Sequence, residues 1–165
     1  MKKIYEFKFV LISAVVMVLS LLYIKMNSIQ PNTDMLTYTC LTLYLLAILS
    51  FYFSLIYLIS NAVPDLVVKD IFTTVLLYFA LALVLILFFA FAWDVFKAYK
   101  CSPACLDTGF VNPFYFSAVA FTTIGFGDIL PKNDVGKWLI ITQALIGTTH
   151  SAVFVSVLFL KFKKA

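Results

Sequence analysis

The chain has 165 residues, of which 64% are hydrophobic and 12% are charged, and its formal net charge is +4. Soluble domains are closer to half apolar and a quarter charged, so this composition excludes an ordinary soluble fold and indicates a protein of the lipid bilayer. The sequence has no basic stripe, and we therefore expect no nucleic-acid partner.

The chain begins with two long hydrophobic runs. The first, 7–26, has Lys8 and Lys25 near its ends, where lysine side chains can reach the membrane interfaces. It exceeds the apolar core of a secretory signal peptide and no small-residue cleavage site follows it, so we expect a retained membrane anchor. The second run, 35–59, is interrupted only by hydroxyl residues.

A helix break after these runs divides the chain. Pro64 cannot continue a helix, so residues 1–62 are predicted to form two transmembrane helices and residues 63–165 a second part. That part holds two further spans, 71–96 and 135–160. Each of the four runs is long enough to cross a hydrocarbon core of about 30 Å.

A shorter helix is predicted between the last two spans, over residues 112–122. Asn112 suits the N-cap position and Pro113 the first helical position. A helix of this length reaches only about 16 Å, so it must enter the membrane and turn back. The sequence therefore predicts an all-α membrane protein with four transmembrane helices and a re-entrant helix and loop.

Lysines near the span ends predict the orientation. A four-span arrangement places seven lysines on one side and five on the other. Because lysines are enriched on the cytoplasmic side, we expect both termini in the cytoplasm and the loop at the outer face of the plasma membrane. Trp93 and Trp138 are then expected at the outer interface, as in aromatic belts.

The loop after the short helix, 122–128, reads Thr-Thr-Ile-Gly-Phe-Gly-Asp. Irregular backbone at membrane depth is tolerated where protein buries it or where it lines a watery path. Successive carbonyls can point the same way if right-handed and left-handed backbone conformations alternate along the loop. Gly125 and Gly127 accept the left-handed conformation, with positive φ, at little steric cost. Such a row of carbonyls can replace the water shell of a monovalent cation.

In this context the motif resembles the selectivity filter of the potassium channel family, in the variant with Phe at the usual Tyr position. The resemblance covers about the last 95 residues, in which span, short helix, filter and span follow one another. It implies a pore domain over 63–165, K⁺ as the permeant ion and no other cofactor. One motif per chain implies a homotetramer closed by rotation. The implied K⁺ ligands are the carbonyls of Thr123, Ile124, Gly125 and Phe126 with the Thr123 hydroxyl, and Gly127 completes the filter.

The resemblance also assigns residues that support the filter. Tyr115 and Phe116 stand where the family often carries Trp, and Phe126 lacks the hydroxyl of the usual Tyr. Asp128 is expected to brace the filter from behind, with Tyr115 as its partner, because carboxylates at membrane depth are usually paired.

The last span contains a candidate cavity and gate. Gly147 matches the spacing of the family's glycine hinge, with close helix packing as an equally good alternative. As a hinge away from the filter, its substitution by Ala is expected to change gating and leave selectivity unchanged. A stripe at helical spacing is predicted to line the cavity, with lipid or helix contact as the alternative. It comprises Thr148, Ser151, Val155 and Phe159, the last as a hydrophobic constriction.

Three further features bear on mechanism. Cys101 and Cys105 form a possible disulfide in the outer loop, with free thiols or an intersubunit bridge as alternatives. His150 is expected to be a packed, hydrogen-bonded residue rather than a pH sensor. No span carries a ladder of basic residues, which excludes a voltage sensor of the usual kind.

The sequence therefore predicts a potassium-selective channel. The alternatives are a weakly selective monovalent cation channel and a non-conducting regulatory or scaffold subunit. We expect no enzyme, because the spans carry no cluster of acids, bases or metal ligands of the kind that catalysis needs.

Overall fold

The computed structural model describes residues 15–16, 19, 35–62, 71–102 and 109–164. It divides into two compact units, Met1–Asp70 and Ile71–Ala165. Most of the predicted first span lies outside the described residues, and so do residues 63–70, where the predicted boundary between the two parts falls. That boundary and the first span stay predictions.

In the first unit, helix α1 extends over Met35–Ala62, 28 residues that include no charged side chain. A row at helical spacing is buried, and residues on the other side of the helix, such as Leu46 and Phe53, are exposed. The buried row comprises Leu41, Tyr44, Ile48 and Tyr52. The length suits a transmembrane helix, and its crossing of the membrane stays a prediction.

The second unit contains helices α2 (Ile71–Phe96), α3 (Val111–Phe121) and α4 (Asp134–Lys164). Among the described residues, α2 and the Asp134–Phe159 part of α4 are long and apolar enough to cross a membrane. The helical class is thereby confirmed, and two of the four predicted spans are candidate membrane-spanning helices. Helix α3 packs against both α2 and α4, so the two long helices hold the short one between them.

The start of α3 differs from the prediction. The helix begins at Val111, and Phe110 occupies the N-cap position without a capping side chain, so the predicted N-cap role of Asn112 is wrong. Pro113 is therefore the third helical residue rather than the first. The position is still compatible with proline, because the first N–H groups of a helix have no partner within it.

A short antiparallel ribbon joins β1 (Tyr99–Cys101) to β2 (Ile129–Pro131), an element that the all-α prediction did not include. The Lys132 amide extends it by donating to the Ala98 carbonyl at 2.7 Å. The ribbon fixes the segment after the loop to the segment that follows α2. With α3 packed between α2 and α4, the loop is thus held at both ends.

Candidate functional site

Helix α3 ends in a Schellman motif that starts the loop. The Thr123 amide donates to the Ala120 carbonyl at 3.2 Å, and the Ile124 amide donates to the Val119 carbonyl at 3.1 Å. This pairing needs a left-handed residue just after the C-cap, a position that is usually glycine. Here Thr123 occupies it, with φ of +57°. The hydrogen bonds at the end of the helix therefore place Thr123, the second residue of the loop, in the left-handed conformation.

Along the loop, residues with positive φ then alternate with residues whose φ is not positive. Gly125 and Gly127 have φ of +60° and +82°, as the sequence predicted, whereas Ile124 and Phe126 are not at positive φ. Alternation turns successive carbonyls toward the same side of the strand. A β-branched residue at positive φ is a genuine outlier, and such strain costs about 1–3 kcal/mol and clusters at functional sites. Thr123 is the residue that carries this strain.

All of residues 122–128 are exposed in the protomer. Ile124 and Phe126 leave 57% and 67% of their surface uncovered. A Cβ built on Gly125 or Gly127 meets nothing within 4 Å. Glycine is thus needed at these two positions for its backbone conformation and not for space within the protomer.

Asp128, at the end of the loop, accepts a hydrogen bond of 2.7 Å from the Tyr115 hydroxyl on α3. The structure thus brings together the two residues paired from the sequence. This bond holds the pKa of Asp128 below its usual value, and the Ile129 amide, 3.0 Å from its Oδ1, acts in the same direction. The carboxylate is therefore ionised at neutral pH. It joins the end of the loop to α3, the helix that precedes the loop.

Phe116 does not share this position. It is buried, and its ring contacts are with Trp93 at 4.6 Å and Tyr99 at 6.5 Å between centroids. Consecutive residues of a helix point in different directions, so Tyr115 faces the loop while Phe116 faces α2. Within the protomer, Phe116 supports α3 rather than the loop itself.

The ribbon also contacts the end of the loop. The Ser102 amide donates to the Asp128 carbonyl at 2.8 Å, directly after the strand that carries Cys101. Cys101 is disulfide-bonded, and Cys105 lies outside the described residues. The pairing of these two cysteines stays a prediction.

Gly147 lies against the end of α3. A Cβ built on it would collide with the backbone carbonyl of Phe121. The expectation that this glycine sits away from the filter is therefore wrong, because Phe121 is two residues from Thr123. The close-packing alternative describes what the structure shows at this position.

The predicted cavity stripe lies on an exposed part of α4 in the protomer. The Thr148 hydroxyl donates to the Ala144 carbonyl at 2.8 Å, within the helix. The Ser151 hydroxyl donates to the Gly147 carbonyl at 3.0 Å and also lies 3.3 Å from the Tyr78 hydroxyl of α2. Ser151 is thus at the edge of the stripe nearest α2. Exposure leaves the stripe open to face a pore, and the assignment stays a prediction.

Two polar residues of α4 are buried against the other helices. His150 has its Nε2 3.2 Å from the Tyr78 carbonyl and stacks on the Tyr78 ring at 4.3 Å between centroids, which matches the packed role expected of it. Gln143 was missed by the sequence analysis, although a lone amide inside an apolar span is a signal of interhelical bonding. Its partners are Trp93 and Ser117.

Trp93 was expected at the membrane interface, and its depth in the membrane stays a prediction. In the protomer it is fully buried, whereas Trp138 is 55% exposed. The indole N–H of Trp93 finds its acceptor on Gln143. Within the described ranges no three His, Cys, Asp or Glu side chains form a possible metal site.

Residues 73–164, more than half of the chain, match the family described as ion channel. A stretch of 36 residues is 50% identical to a protein named hyperpolarization-activated voltage-gated potassium channel from Methanocaldococcus jannaschii. That match spans 22% of the chain and 17% of the relative, and no solved structure matches the chain. The resemblance drawn from the sequence is confirmed at the level of family. The chain is a membrane protein that belongs to the ion channel family.

Proposed function

We propose that this chain forms a potassium-selective channel that conducts K⁺ passively across the membrane. The observation that carries the proposal is the alternating backbone of the loop, with positive φ at Thr123, Gly125 and Gly127. Stacked carbonyls of one strand supply one side of a series of cation sites, and they take the place of water around a dehydrated ion. The K⁺ ligands are the oxygens of Thr123, Ile124, Gly125 and Phe126.

One strand does not enclose an ion, so the proposal needs further copies of the chain. We assign a homotetramer, since each chain contributes one loop and rings of identical subunits close by rotation. Large exposed side chains support this assembly: Ile124 and Phe126 are mostly uncovered in the protomer, and exposed apolar surface next to a polar loop is typical of an interface.

The supports of the loop have distinct roles in this proposal. The Tyr115–Asp128 hydrogen bond braces the filter from behind, and the ribbon holds its outer end through the Ser102 amide. On α4, Thr148, Ser151, Val155 and Phe159 line the cavity on the inner side, with Phe159 as the narrowest point. Both termini lie in the cytoplasm of a plasma-membrane protein, in accordance with the lysine distribution.

The test is ion selectivity of the purified protein in planar bilayers. We expect the reversal potential to follow the K⁺ gradient when K⁺ and Na⁺ gradients oppose each other, and we expect Ba²⁺ to block by binding at the Thr123 oxygens. A reversal potential that ignores the K⁺ gradient, in protein shown to be tetrameric, contradicts the proposal.

A weakly selective cation channel is the second candidate. It is favoured by Phe126, because a residue without a hydroxyl gives the filter less hydrogen-bonded support than the usual Tyr. In the protomer, the Tyr115 hydroxyl bonds to Asp128. The same bilayer experiment separates the two, since such a channel carries Na⁺ and K⁺ with similar permeability. No current from the tetramer would instead favour a non-conducting subunit.

A further inference from the structure

Three polar side chains from three helices meet at one buried point. They are Trp93 on α2, Ser117 on α3 and Gln143 on α4, and each is fully buried. The surrounding helices are strongly apolar, so a polar cluster here needs internal partners for its donors and acceptors. None of the three belongs to the loop or to the proposed cavity.

Hydrogen bonds join the three side chains into one network. Gln143 accepts from the Trp93 indole N–H at 2.9 Å. Its amide nitrogen donates to the Ser117 carbonyl at 2.8 Å and to the Ser117 hydroxyl at 2.7 Å. The Ser117 hydroxyl in turn donates to the Ile86 carbonyl at 2.7 Å. Among the described residues, no buried side-chain nitrogen or oxygen lacks a hydrogen-bond partner.

The network fixes how Gln143 is oriented. Turning its amide over would place its oxygen against the Ser117 carbonyl and its NH₂ group against the Trp93 N–H, so an acceptor would face an acceptor and a donor a donor. One arrangement therefore satisfies all partners. A shorter side chain on α4 would not reach both neighbouring helices.

The network continues into a close backbone contact one helical turn further along. Gly147 follows Gln143 by four residues, and Phe121 follows Ser117 by four residues. Gly147 lies directly against the Phe121 backbone. Side chains four residues apart lie on the same face of a helix, so α4 contacts α3 along a continuous seam made of Gln143, Ser117, Gly147 and Phe121.

This seam ends at the start of the loop. Phe121 is the last residue of α3, and the strained Thr123 follows two residues later. Because α3 is a short rigid helix, a shift at Ser117 is carried to Thr123. Gln143 is thus joined by hydrogen bonds to the helix that ends where the loop begins.

We propose that Gln143 is a positioning residue for ion selection: through Ser117 and Trp93 it holds α3, and with it the filter, in the register that K⁺ requires. This rests on the proposed potassium-selective function. The polar network acts on geometry and not on the ion itself, since none of its atoms belongs to the loop.

The test compares permeability ratios in reconstituted tetramers. Gln143→Leu removes the bonds to both partners and leaves the Trp93 N–H unpaired. The double variant Trp93→Phe with Gln143→Leu removes that unpaired group as well. Thr149→Val is the matched control, because the Thr149 hydroxyl bonds to the Leu145 carbonyl of its own helix and links no other helix.

We expect both Gln143 variants to lower the K⁺ over Na⁺ permeability ratio about tenfold, the size of effect that one or two interhelical hydrogen bonds can supply. Thr149→Val should leave the ratio unchanged. Recovery of the ratio in the double variant overturns the proposal, because the loss in Gln143→Leu would then come from the unpaired N–H group. Wild-type ratios in all variants also overturn it.

Two further outcomes are decided by the same measurements. If the Gln143 variants do not assemble, Ser117→Ala, which removes fewer hydrogen bonds, takes their place, and a wild-type ratio in it overturns the proposal. If the unaltered tetramer itself does not select K⁺, the proposed function fails, and this inference fails with it.

Discussion

The backbone carbonyl of Phe121 lies where a side chain on residue 147 would have to begin, so the approach of α4 to the end of α3 depends on Gly147. The sequence left two explanations of this glycine, a hinge and a packing position. The contact is with Phe121, the residue immediately before the loop. The Phe121 atoms in this contact belong to the backbone. A methyl group has no flexible neighbour to displace there.

Gly147→Ala is therefore expected to disturb the filter and not gating alone. Overpacking typically costs about 1–3 kcal/mol, and here the backbone of Phe121 must give way. We expect lower thermal stability of the tetramer together with a lower K⁺ over Na⁺ permeability ratio. Ala152→Ser, which adds one atom at an exposed position of the same helix, is the control. A normal ratio with altered open probability would restore the hinge explanation.

Gly125→Ala should abolish selectivity or conduction. The residue has φ of +60°, a conformation that costs an L-residue about 1–2 kcal/mol, and the cost is repeated in every subunit. Gly109→Ala is the matched control, because Gly109 has φ of +61°, also has open space around its Cβ position and lies outside the loop. Wild-type currents from Gly125→Ala would mean that ions are selected elsewhere, whereas equal loss in both variants would indicate general destabilisation.

Tyr115→Phe should make conduction more sensitive to acid on the outer side. The Tyr115 hydroxyl lowers the pKa of Asp128, so the contribution of the ionised carboxylate is complete above its ordinary pKa of about 3.9 and is lost as pH falls through the lowered value. Without the hydroxyl that pKa rises, and we expect the midpoint of acid inactivation to move to higher pH.

The effect of Tyr115→Phe must depend on the carboxylate. In an Asp128→Asn background the same substitution should no longer move the midpoint. A shift of equal size in both backgrounds would show that the hydroxyl acts through something other than Asp128. The measurement is current amplitude against outer pH in protein that remains tetrameric.

Local chemistry made parts of this site predictable. The φ values of Gly125 and Gly127 follow from the residue type, and α2 was predicted with its observed ends because long apolar runs are unambiguous. Thr123 was different, since propensity argues against a left-handed β-branched residue. Its conformation follows from the hydrogen bonds that close α3, which exist only once the helix end is formed.

Tertiary partners account for the rest of what was missed. Gln143 is visible in the sequence as an amide within an apolar run, but nothing local indicates that Trp93 and Ser117 meet it. The position of Trp93 near a span end did not reveal that its side chain is buried and donates to Gln143 on another helix. The ribbon between β1 and β2 has strands of three residues each, too short for a pattern of alternation to reveal.

Cysteine accessibility tests the cavity face of α4. Cysteines at Thr148, Ser151, Val155 and Phe159 should react with cytoplasmic thiol reagents when the channel is open. Those at Ala152 and Leu158 should react more slowly. A background that lacks all three native cysteines is suitable, because Cys40 is a free thiol and the pairing of Cys101 with Cys105 stays a prediction. Since Ser151 lies near Tyr78, its cysteine should be the slowest of the four, and equal rates around the helix would remove the assigned face.

Opening is expected to show no steep voltage dependence, although the relative from Methanocaldococcus jannaschii is named a voltage-gated channel. The match to that protein covers 22% of the chain, and gating must be judged from the charges in this chain. Helix α1 contains no charged residue, and the lysines of α4 lie in its first turns and at its C-terminal end.

Moving one charge through 100 mV supplies about 2.3 kcal/mol, so steep gating needs several basic residues within the field. The first predicted span, 7–26, offers only Lys8 and Lys25 near its ends. We therefore expect open probability to change gradually with voltage, and we attribute any rectification to ion occupancy of the filter. Conductance–voltage curves in symmetrical K⁺ provide the measurement. A slope equivalent to several gating charges per tetramer would contradict this expectation, and neutralising Lys8 and Lys25 together would then show whether they carry those charges.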